Sequence, residues 1–294
     1  MRLRRQAVFM RRFARVALAA LVIPCLATCS KSGRNAAASP SPLSQASTEA
    51  SGSTGVERVA PTVSVSFSDL AGNLHTAAIT ALGELGALDS TTGAFNPDQP
   101  VKRRDFVRWL FKTNNAVFAD LPSHQIHPGR SDETPAFKDL PSSDPDFPYV
   151  QGMNDAGIAV GFPDATFKGD RPITREQAVA VKSLLDQGGL ASEYSGKNIL
   201  YLRNFLPPWK DRDDVSITYI GAIGQDHYDE GATEVDNIGR TFGAIAVFRP
   251  RATVTRGEAA EMLGRIGGHS VVMAGENRMR TVAETLHPSP TASP

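Results

Sequence analysis

Three arginines recur at one position in three similar stretches of the chain, and that position suits the binding of an anion. Arg103, Arg175 and Arg256 each come just before the apolar pattern of a helix. A cation at this place opposes the helix dipole, so helix formation does not explain it. The unpaired N–H groups of a helix start, its dipole and a guanidinium together suit a carboxylate or a phosphate. The arginines are therefore candidate anion-binding residues.

An aromatic-x-Asp entry opens each of the three stretches. The entries begin at Phe67, Phe137 and Trp209, which are 70 and 72 residues apart. Their acidic residues offer a second explanation for the arginines, since each guanidinium could pair with a carboxylate of a neighbouring stretch. Asp69, Asp139 and Asp211 are examples of such carboxylates. On the residue pattern alone, anion binding and internal ion pairing stay equally open.

The elements that position these residues are predicted to be pairs of helices joined by a long loop rich in Gly, Pro and Asp. Thr174 with Gln177, and Thr255 with Glu258, have the spacing of a capping box at the start of the second helix. Lys102 replaces the capping threonine in the first stretch, so its helix start should be the weakest. One pair of helices cannot bury its apolar stripe alone, and we expect three pairs to pack together.

These motifs resemble the S-layer homology (SLH) module of bacterial envelope proteins. The resemblance rests on the aromatic-x-Asp entry, a Gly-Ile helix end, the stretch GFPDATFKGDRPITRE over 161–176 and the Thr-Arg helix start. We name the three stretches the first copy (67–110), the central copy (137–185) and the third copy (209–263). The central match is specific. The first copy has Lys-Arg-Arg-Asp in place of Thr-Arg-x-Glu, and the third lacks the Gly-aromatic-Pro-Asp turn.

The resemblance implies a fold and a kind of ligand. It implies a mainly α fold in which three helix-loop-helix modules, at 61–125, 126–200 and 201–275, pack as a pseudo-threefold helical bundle with projecting loops. Members of the family bind cell-wall polysaccharide, often with acidic pyruvyl groups, or a peptidoglycan-linked polymer. They bind it in grooves between modules. A wall polymer is therefore the expected partner.

The resemblance also implies site residues. The arginine of the Thr-Arg-x-Glu motif binds ligand in the family and maps onto Arg103, Arg175 and Arg256, which favours anion binding over internal pairing. Lys168 and Asp164 lie in the best-matching loop and are expected to line the same groove. Arg175 comes first among the candidates because its copy matches best. The aspartates of the entries are expected to order the entry loops rather than to touch sugar.

The N-terminus is predicted to be an export signal with a lipidation site. Residues 1–28 contain six arginines and no acid, followed by an eleven-residue apolar run that is too short to span a bilayer. Leu26-Ala27-Thr28-Cys29 resembles the lipobox of bacterial lipoproteins, with Thr28 where Gly, Ala or Ser is usual. Cys29 is thus the predicted lipidation site, and an ordinary signal peptide is the alternative.

A flexible tether is predicted to follow Cys29. Ser30–Ala60 consists largely of Ser, Ala, Thr, Gly and Pro and cannot fold by itself. As a flexible coil it would span roughly 30 Å. The tail, 276–294, is expected to be disordered as well. A lipidated cysteine ahead of such a linker would hold a domain away from its membrane, so we expect an exported, membrane-anchored protein of the outer membrane or cell surface.

Charge and cysteine content exclude several functions. The whole chain has 31 basic and 31 acidic residues, and loss of the six signal arginines leaves a net charge near −6. Such a charge argues against a nucleic-acid partner. Both cysteines lie within the first 29 residues, so the domain has no disulfide and no thiol nucleophile. We expect no cofactor and no metal.

Catalytic motifs are absent from the sequence. It contains no Gly-x-Ser-x-Gly, no His-Glu-x-x-His and no phosphate-cradling glycine loop. A pair of distant carboxylates could still form a glycosidase. The acidic segment 225–236 could bind calcium but is expected to be a solvated loop, and His124 and His127 are expected to lie in an ordinary loop. The sequence therefore predicts a non-enzymatic anchoring lipoprotein, with a wall hydrolase or an envelope adaptor acting through the third region as the alternatives.

Overall fold

The computed structural model describes residues 63–159, 161–187, 203–204, 206–228 and 236–271. These residues all belong to one compact unit, Val56–Pro294. The predicted signal peptide, the lipidation site at Cys29, the linker and the tail lie outside the described residues.

The described residues form a mainly helical fold, as the sequence predicts. Two strands, β1 (Ser66–Phe67) and β2 (Thr92–Gly93), pair in parallel, and β3 (Arg265–Ile266) and β4 (His269–Ser270) form an antiparallel hairpin. The α-helices are α1 (Thr76–Glu84), α2 (Arg103–Val117), α3 (Phe147–Asp155), α4 (Arg175–Asp186), α5 (Ile217–Tyr228), α6 (Asn237–Phe242) and α7 (Arg256–Leu263).

Among the described helices, none combines the length and the apolar character needed to cross a membrane.

The three helix starts differ in their side-chain caps, while the lower strength expected of the first start stays a prediction. In α7 the capping box is complete, since Glu258 N donates to Thr255 Oγ1 at 3.1 Å and Thr255 N donates to Glu258 Oε2 at 2.9 Å. At α4 the two residues stand in capping-box positions, but only the bond from Thr174 N to Gln177 Oε1 forms, at 3.4 Å, and Thr174 Oγ1 is buried without a hydrogen bond. Lys102 makes no side-chain cap at the start of α2. Local side-chain chemistry therefore fixes where two of these helices begin.

The aspartates of the three entries order the loops, as expected. Each carboxylate accepts two successive backbone N–H groups that lie just before the second helix of its copy. The donors are Phe95 and Asn96 for Asp69 (2.8 and 2.6 Å), Phe167 and Lys168 for Asp139 (2.7 and 2.8 Å), and Phe248 and Arg249 for Asp211 (2.8 and 2.7 Å).

The second donor of each pair has a left-handed backbone. The φ angles are 58° at Asn96, 55° at Lys168 and 54° at Arg249. Residues other than glycine rarely adopt this region, and the two carboxylate bonds hold them there. The third copy forms this arrangement although its sequence lacks the Gly-aromatic-Pro-Asp turn. The aspartate of the entry, rather than the turn motif, is the feature that all three loops share.

A closed ring of hydrogen bonds joins the three copies. Val101 N donates to Val254 O at 2.9 Å, Val254 N to Ile173 O at 3.0 Å, and Ile173 N to Val101 O at 3.1 Å. The side chains of all three residues are fully buried. Burial of each such side chain stabilises the fold by roughly 1.5–3 kcal/mol. The same three residues, one from each copy, thus provide both the backbone hydrogen bonds and the buried apolar side chains that join the copies.

Helix packing follows the same cyclic order. The second helix of each copy packs against the first helix of the next copy: α2 against α3, α4 against α5, and α7 against α1. The buried apolar residues of all copies form one continuous core. The helices of different copies therefore share one core, in agreement with the expectation that the pairs of helices pack together.

The prediction of a solvated acidic loop over 225–236 is wrong for the part that the structure describes. Helix α5 extends to Tyr228, and Asp226 within it is only 1 % exposed. Asp236 is the N-cap of α6 and accepts from Gly239 N at 2.6 Å. Residues 229–235 lie outside the described residues. The carboxylates of Asp226 and Asp236, near the two ends of the segment, therefore make hydrogen bonds within the fold and are not part of a solvated loop.

Candidate functional site

Each predicted arginine is the first residue of a helix and lies on aromatic rings of the following copy. The third copy is followed by the first, in keeping with the closed ring. The distances from guanidinium carbon to ring centroid are 5.3 and 4.8 Å for Arg103 over Phe162 and Phe167, 4.1 Å for Arg175 over Phe242, and 4.6 and 4.8 Å for Arg256 over Phe95 and Trp109. These are cation–π distances. The structure thus places three similar candidate sites at the boundaries between copies.

The expectation that the helix-start N–H groups are unpaired is wrong. The backbone N of Arg103, Arg175 and Arg256 donates to a carbonyl of the following copy at 2.9, 2.8 and 2.8 Å, respectively. The N–H of the next residue does the same in each helix, at 2.9, 3.0 and 2.8 Å. These groups are unavailable to a ligand because packing between copies already uses them. A bound anion would have to be held by the guanidinium itself.

The alternative of internal ion pairing is confirmed for Arg175, whose partner is Glu258 of the following copy rather than an entry aspartate. The carboxylates of Asp69, Asp139 and Asp211 are occupied by loop N–H groups. These bonds are the main cause that holds the pKa of Asp69 below its ordinary value. Arg103 and Arg175 instead contact the third residue of the helix in the following copy, Gln177 and Glu258.

The first site, around Arg103, is closed to solvent. Arg103 is 2 % exposed, and its Nη1 donates to Gln177 Oε1 at 3.4 Å. Burial lowers the pKa of Arg103, because removal from water disfavours the charged form. Tyr219 of α5 is a neighbour, and burial raises the pKa of its hydroxyl. This arginine is a structural cation between two rings.

Lys168 and Asp164 come together at the rim of the first site. Lys168 Nζ lies 3.0 Å from Asp164 Oδ2 and 4.1 Å from the ring centroid of Phe162, the same ring that Arg103 faces. The hydroxyl of Thr166 and then Lys168 lower the pKa of Asp164 to about 2. The structure therefore groups these two predicted residues with Arg103. Arg175, which the sequence ranks first, lies on another ring.

The second site, around Arg175, contains its own counter-ion. Arg175 Nη2 lies 3.1 Å from Glu258 Oε1, and both side chains are 17 % exposed. Arg175 Nη1 also donates to Phe248 O at 3.3 Å. Glu258 is the acidic residue of the capping box in α7, so one carboxylate serves both the cap and the arginine. The charge of Arg175 is neutralised within the protein.

The third site, around Arg256, differs in its charge balance. Arg256 Nε donates to Phe95 O at 2.7 Å, and burial lowers the pKa of this half-buried arginine. The residue that corresponds to Glu258 is Asp105, whose Oδ1 lies 2.7 Å from Arg108 Nη2 instead. Among the described residues no carboxylate lies within ion-pair distance of the Arg256 guanidinium. At this site the Arg256 guanidinium lies on the rings of Phe95 and Trp109, with no direct counter-ion among the described residues.

Sequence reasoning missed the partners of the arginines. Gln177 and Glu258 are readable as capping residues, and Phe242 as an apolar residue, but their contacts join different copies. The recurring position three residues into each helix is the signal that could have indicated them. That position holds Gln177, Glu258 and Asp105, and only the cyclic order of the copies shows which arginine each one faces.

Comparison with known proteins identifies the class of domain. Residues 136–179 match the family model of the S-layer homology domain. A stretch of 51 residues, 17 % of this chain, is 49 % identical to Outer membrane protein alpha of Thermotoga maritima and covers 13 % of that protein. The chain thus matches about an eighth of the length of this relative.

The chain is a protein with an S-layer homology domain, centred on the central copy. These similarities support a place in the cell envelope. Within the described part of the chain, no group of three or more His, Cys, Asp and Glu side chains is arranged to hold a metal ion.

Proposed function

We propose that this protein is a non-enzymatic envelope lipoprotein that links a membrane to a cell-wall polymer. Its three SLH-like modules, at 61–125, 126–200 and 201–275, form a bundle around a pseudo-threefold axis. The polymer lies in grooves between modules. Lipid on Cys29 and the linker behind it hold the bundle to the membrane.

The cyclic contacts support the threefold arrangement. Three equivalent hydrogen bonds close a ring through Val101, Ile173 and Val254. The three arginines occupy equivalent places around that ring, each at a boundary between copies. A groove at each boundary is the arrangement that the family resemblance implies.

The single observation that carries the ligand proposal is the environment of Arg256. It combines a cation without a direct counter-ion among the described residues with the ring faces of Phe95 and Trp109. The two rings are buried beneath the arginine, so they fix its position, and the guanidinium is the group that suits a carboxylate. An acidic polysaccharide, such as one with pyruvyl groups, offers such carboxylates. Arg175 and Arg103 contribute less, since one is paired and the other is buried.

Sedimentation with purified cell walls tests the proposed partner. We expect the full chain to sediment with intact walls and to remain in solution with walls from which the acidic polymer has been extracted. Equal binding to both preparations would point to peptidoglycan itself. Failure to bind either would show that the proposal is wrong. Release of soluble sugar or peptide from the walls would instead indicate the hydrolase alternative, and retention through another envelope protein the adaptor alternative.

Cell fractionation tests the lipid anchor. Cys29→Ala should move the protein from the membrane fraction to the soluble fraction, because a thioether-linked lipid would have no acceptor. Cys25→Ala is the matched control and should leave the protein in the membrane fraction. Membrane association of Cys29→Ala would exclude lipidation at this cysteine.

A further inference from the structure

The third site lacks a counter-ion although an acidic residue stands in the corresponding position. In the second site this position, the third residue of the helix, is Glu258, which pairs with Arg175 at 3.1 Å. In the third site it is Asp105, and its Oδ1 lies 2.7 Å from Nη2 of Arg108 in the same helix, α2. Asp105 has no other side-chain partner among the described residues. The group that holds Asp105 therefore decides whether Arg256 is paired.

Asp105 is close enough to Arg256 to act on its charge. Burial lowers the pKa of Arg256, and Asp105 is the first of the neighbouring groups that act in the other direction, followed by Asp89. The guanidinium donates through its Nε to the Phe95 carbonyl at 2.7 Å, and no second acceptor lies within hydrogen-bond distance in the described part of the chain. Its two Nη groups are thus available to a carboxylate.

Arg108 is held in place by three carboxylates at once. Its Nε and Nη2 lie 2.8 and 2.6 Å from the two oxygens of Asp89, and its Nη1 contacts Asp146 of the central copy. Together with Asp105, these contacts involve every nitrogen of the guanidinium. The side chains of Arg108 and Asp105 are only 15 % and 17 % exposed, so water screens the pair little. The carboxylate of Asp105 is therefore bound to a fixed cation.

The first copy alone has an arginine at this place. Arg108 lies one helical turn after Asp105, a spacing at which side chains of opposite charge meet. The equivalent residues of the other copies are Ala180 and Glu261, and neither can attract a carboxylate. Glu258, one turn before Glu261, accordingly pairs across the boundary between copies.

Removal of Arg108 would leave Asp105 without a partner. The other two carboxylates keep donors of their own: Trp109 Nε1 (2.9 Å) and Lys112 Nζ (3.2 Å) for Asp89, and Arg104 Nη1 (2.9 Å) for Asp146. Asp105 has no such second donor among the described residues. The pair in the second site shows that an acidic residue at this helix position reaches the arginine of the preceding copy. Asp105 would therefore turn to Arg256.

We infer that Arg108 is a positioning residue of the third site: by holding the carboxylate of Asp105, it keeps the Arg256 guanidinium free for an acidic ligand. The contact between Arg108 and Asp105 is a feature of the fold, whereas its effect on ligand binding rests on the proposed function. Arg108 itself needs no contact with the ligand.

Binding of the full chain to purified walls tests this role through rescue. Arg108→Gln should weaken binding about tenfold, because Asp105 then pairs with Arg256. Adding Asp105→Asn to Arg108→Gln should restore binding to within about twofold of the wild type, although both proteins lack the other contacts of Arg108. Equal weakness of the two proteins would overturn the role. Arg130→Gln removes an exposed arginine that pairs with Asp132, and as the matched control it should bind as the wild type does.

Side-chain length is the other reason that could keep Asp105 from Arg256, since Glu258 has one more methylene group. Asp105→Glu separates the two reasons and leaves Arg108 in place, so it also covers the case that Arg108→Gln does not fold. If Arg108 sets the position of the carboxylate, this variant should bind walls within about twofold of the wild type. A loss of about tenfold would show that length is decisive and would overturn the proposal.

A double-mutant cycle measured by urea unfolding needs no ligand. Asp105→Asn and Arg256→Gln should change the unfolding constant independently in the wild-type background, and should show coupling of about threefold in the presence of Arg108→Gln. Coupling of this size in the wild-type background, or none in either background, would overturn the proposal. Absence of wall binding by the wild type, together with coupling only in the Arg108→Gln background, would reject the anchoring function and leave the positioning role of Arg108.

Discussion

Arginine at the first position of a helix is unfavourable by itself, and here each such arginine is compensated by the following copy. Its guanidinium lies on an aromatic face, a contact worth roughly 0.5–2 kcal/mol. A structural role therefore accounts for the presence of an arginine in all three copies. What distinguishes them is the counter-ion. Glu258 pairs with Arg175, whereas no described carboxylate lies within ion-pair distance of Arg256.

The difference in counter-ions leads to a prediction about wall binding. Arg256→Ala should weaken the binding of the full chain to purified walls by about 10- to 100-fold, because hydrogen bonds to charged groups contribute roughly 1.5–3 kcal/mol. Arg175→Ala should have a smaller effect, because the charge of Arg175 is already neutralised by Glu258. Binding isotherms from sedimentation give the ratio, and circular dichroism verifies that each variant is folded.

A surface arginine of the third copy provides the control for this experiment. Arg251 is exposed and lies outside the aromatic contacts, so Arg251→Ala should bind walls as the wild type does. Loss of binding in Arg175→Ala with normal binding in Arg256→Ala would contradict the ranking by counter-ion. It would favour the ranking by sequence match, in which Arg175 comes first.

At the scale of elements, the starts of α4 and α7 were predictable because capping is local. Thr255 and Glu258 are three residues apart and bond to each other, so their types and spacing contain the whole interaction. The loops were predictable for a related reason. The aromatic-x-Asp entry recurs, and a recurring aspartate near a turn indicates backbone N–H bonding.

The remaining contacts of the elements were not predictable, since they join residues far apart in the chain. Asp226 lies in an acid-rich segment, and its burial depends on Asn237 and the α4 face. The aromatic partner of Arg256 is Phe95, which is 161 residues away. A single sequence contains no measure of such proximity. The paired N–H groups at the helix starts were missed for the same reason.

The missing cap of α2 gives a prediction at this scale. Lys102→Thr should stabilise the protein by about 1 kcal/mol, because a threonine at this extended position can accept from the helix backbone. The side-chain pair of Lys102 with Asp170 is 54 % and 72 % exposed, so its loss should cost little. Urea unfolding of both proteins measures the difference.

Thr255→Ala is the matched change in the opposite direction. It removes an existing cap from α7 and should destabilise the protein by a similar amount, about 1 kcal/mol. If Thr255→Ala destabilises and Lys102→Thr leaves the free energy of unfolding unchanged, the start of α2 is set by its contacts with the following copy. Capping would then be irrelevant at that helix.

The molecule as a whole is organised by contacts that run from each copy to the next and close on themselves. Backbone bonds through Val101, Ile173 and Val254, and the cyclic packing of helices, join the buried side chains of the three copies into one continuous core. In linear repeat arrays each unit contacts its neighbours, and the ends can unfold separately. A closed ring has no end. We therefore expect the described unit to unfold in one cooperative step.

The two tryptophans of the chain make this expectation measurable. Trp109 lies in the first copy and Trp209 in the third, and both are buried. Single-tryptophan proteins, made by Trp209→Phe and Trp109→Phe, report on each copy separately. Ile173→Ala in the central copy removes a fully buried side chain from the ring and should destabilise the protein by about 2–5 kcal/mol.

If unfolding is cooperative, Trp109 and Trp209 should report the same urea midpoint. In the proteins with Ile173→Ala, the urea midpoints from Trp109 and Trp209 should coincide and should both lie below those of the parent proteins. Ile217→Ala is the matched control, since this isoleucine is 61 % exposed, and it should change the free energy of unfolding by less than about 0.5 kcal/mol. Two separate midpoints would mean that the first and third copies unfold independently. The ring would then be a contact between autonomous modules, and a ligand held at one boundary would stabilise only the two copies that form it.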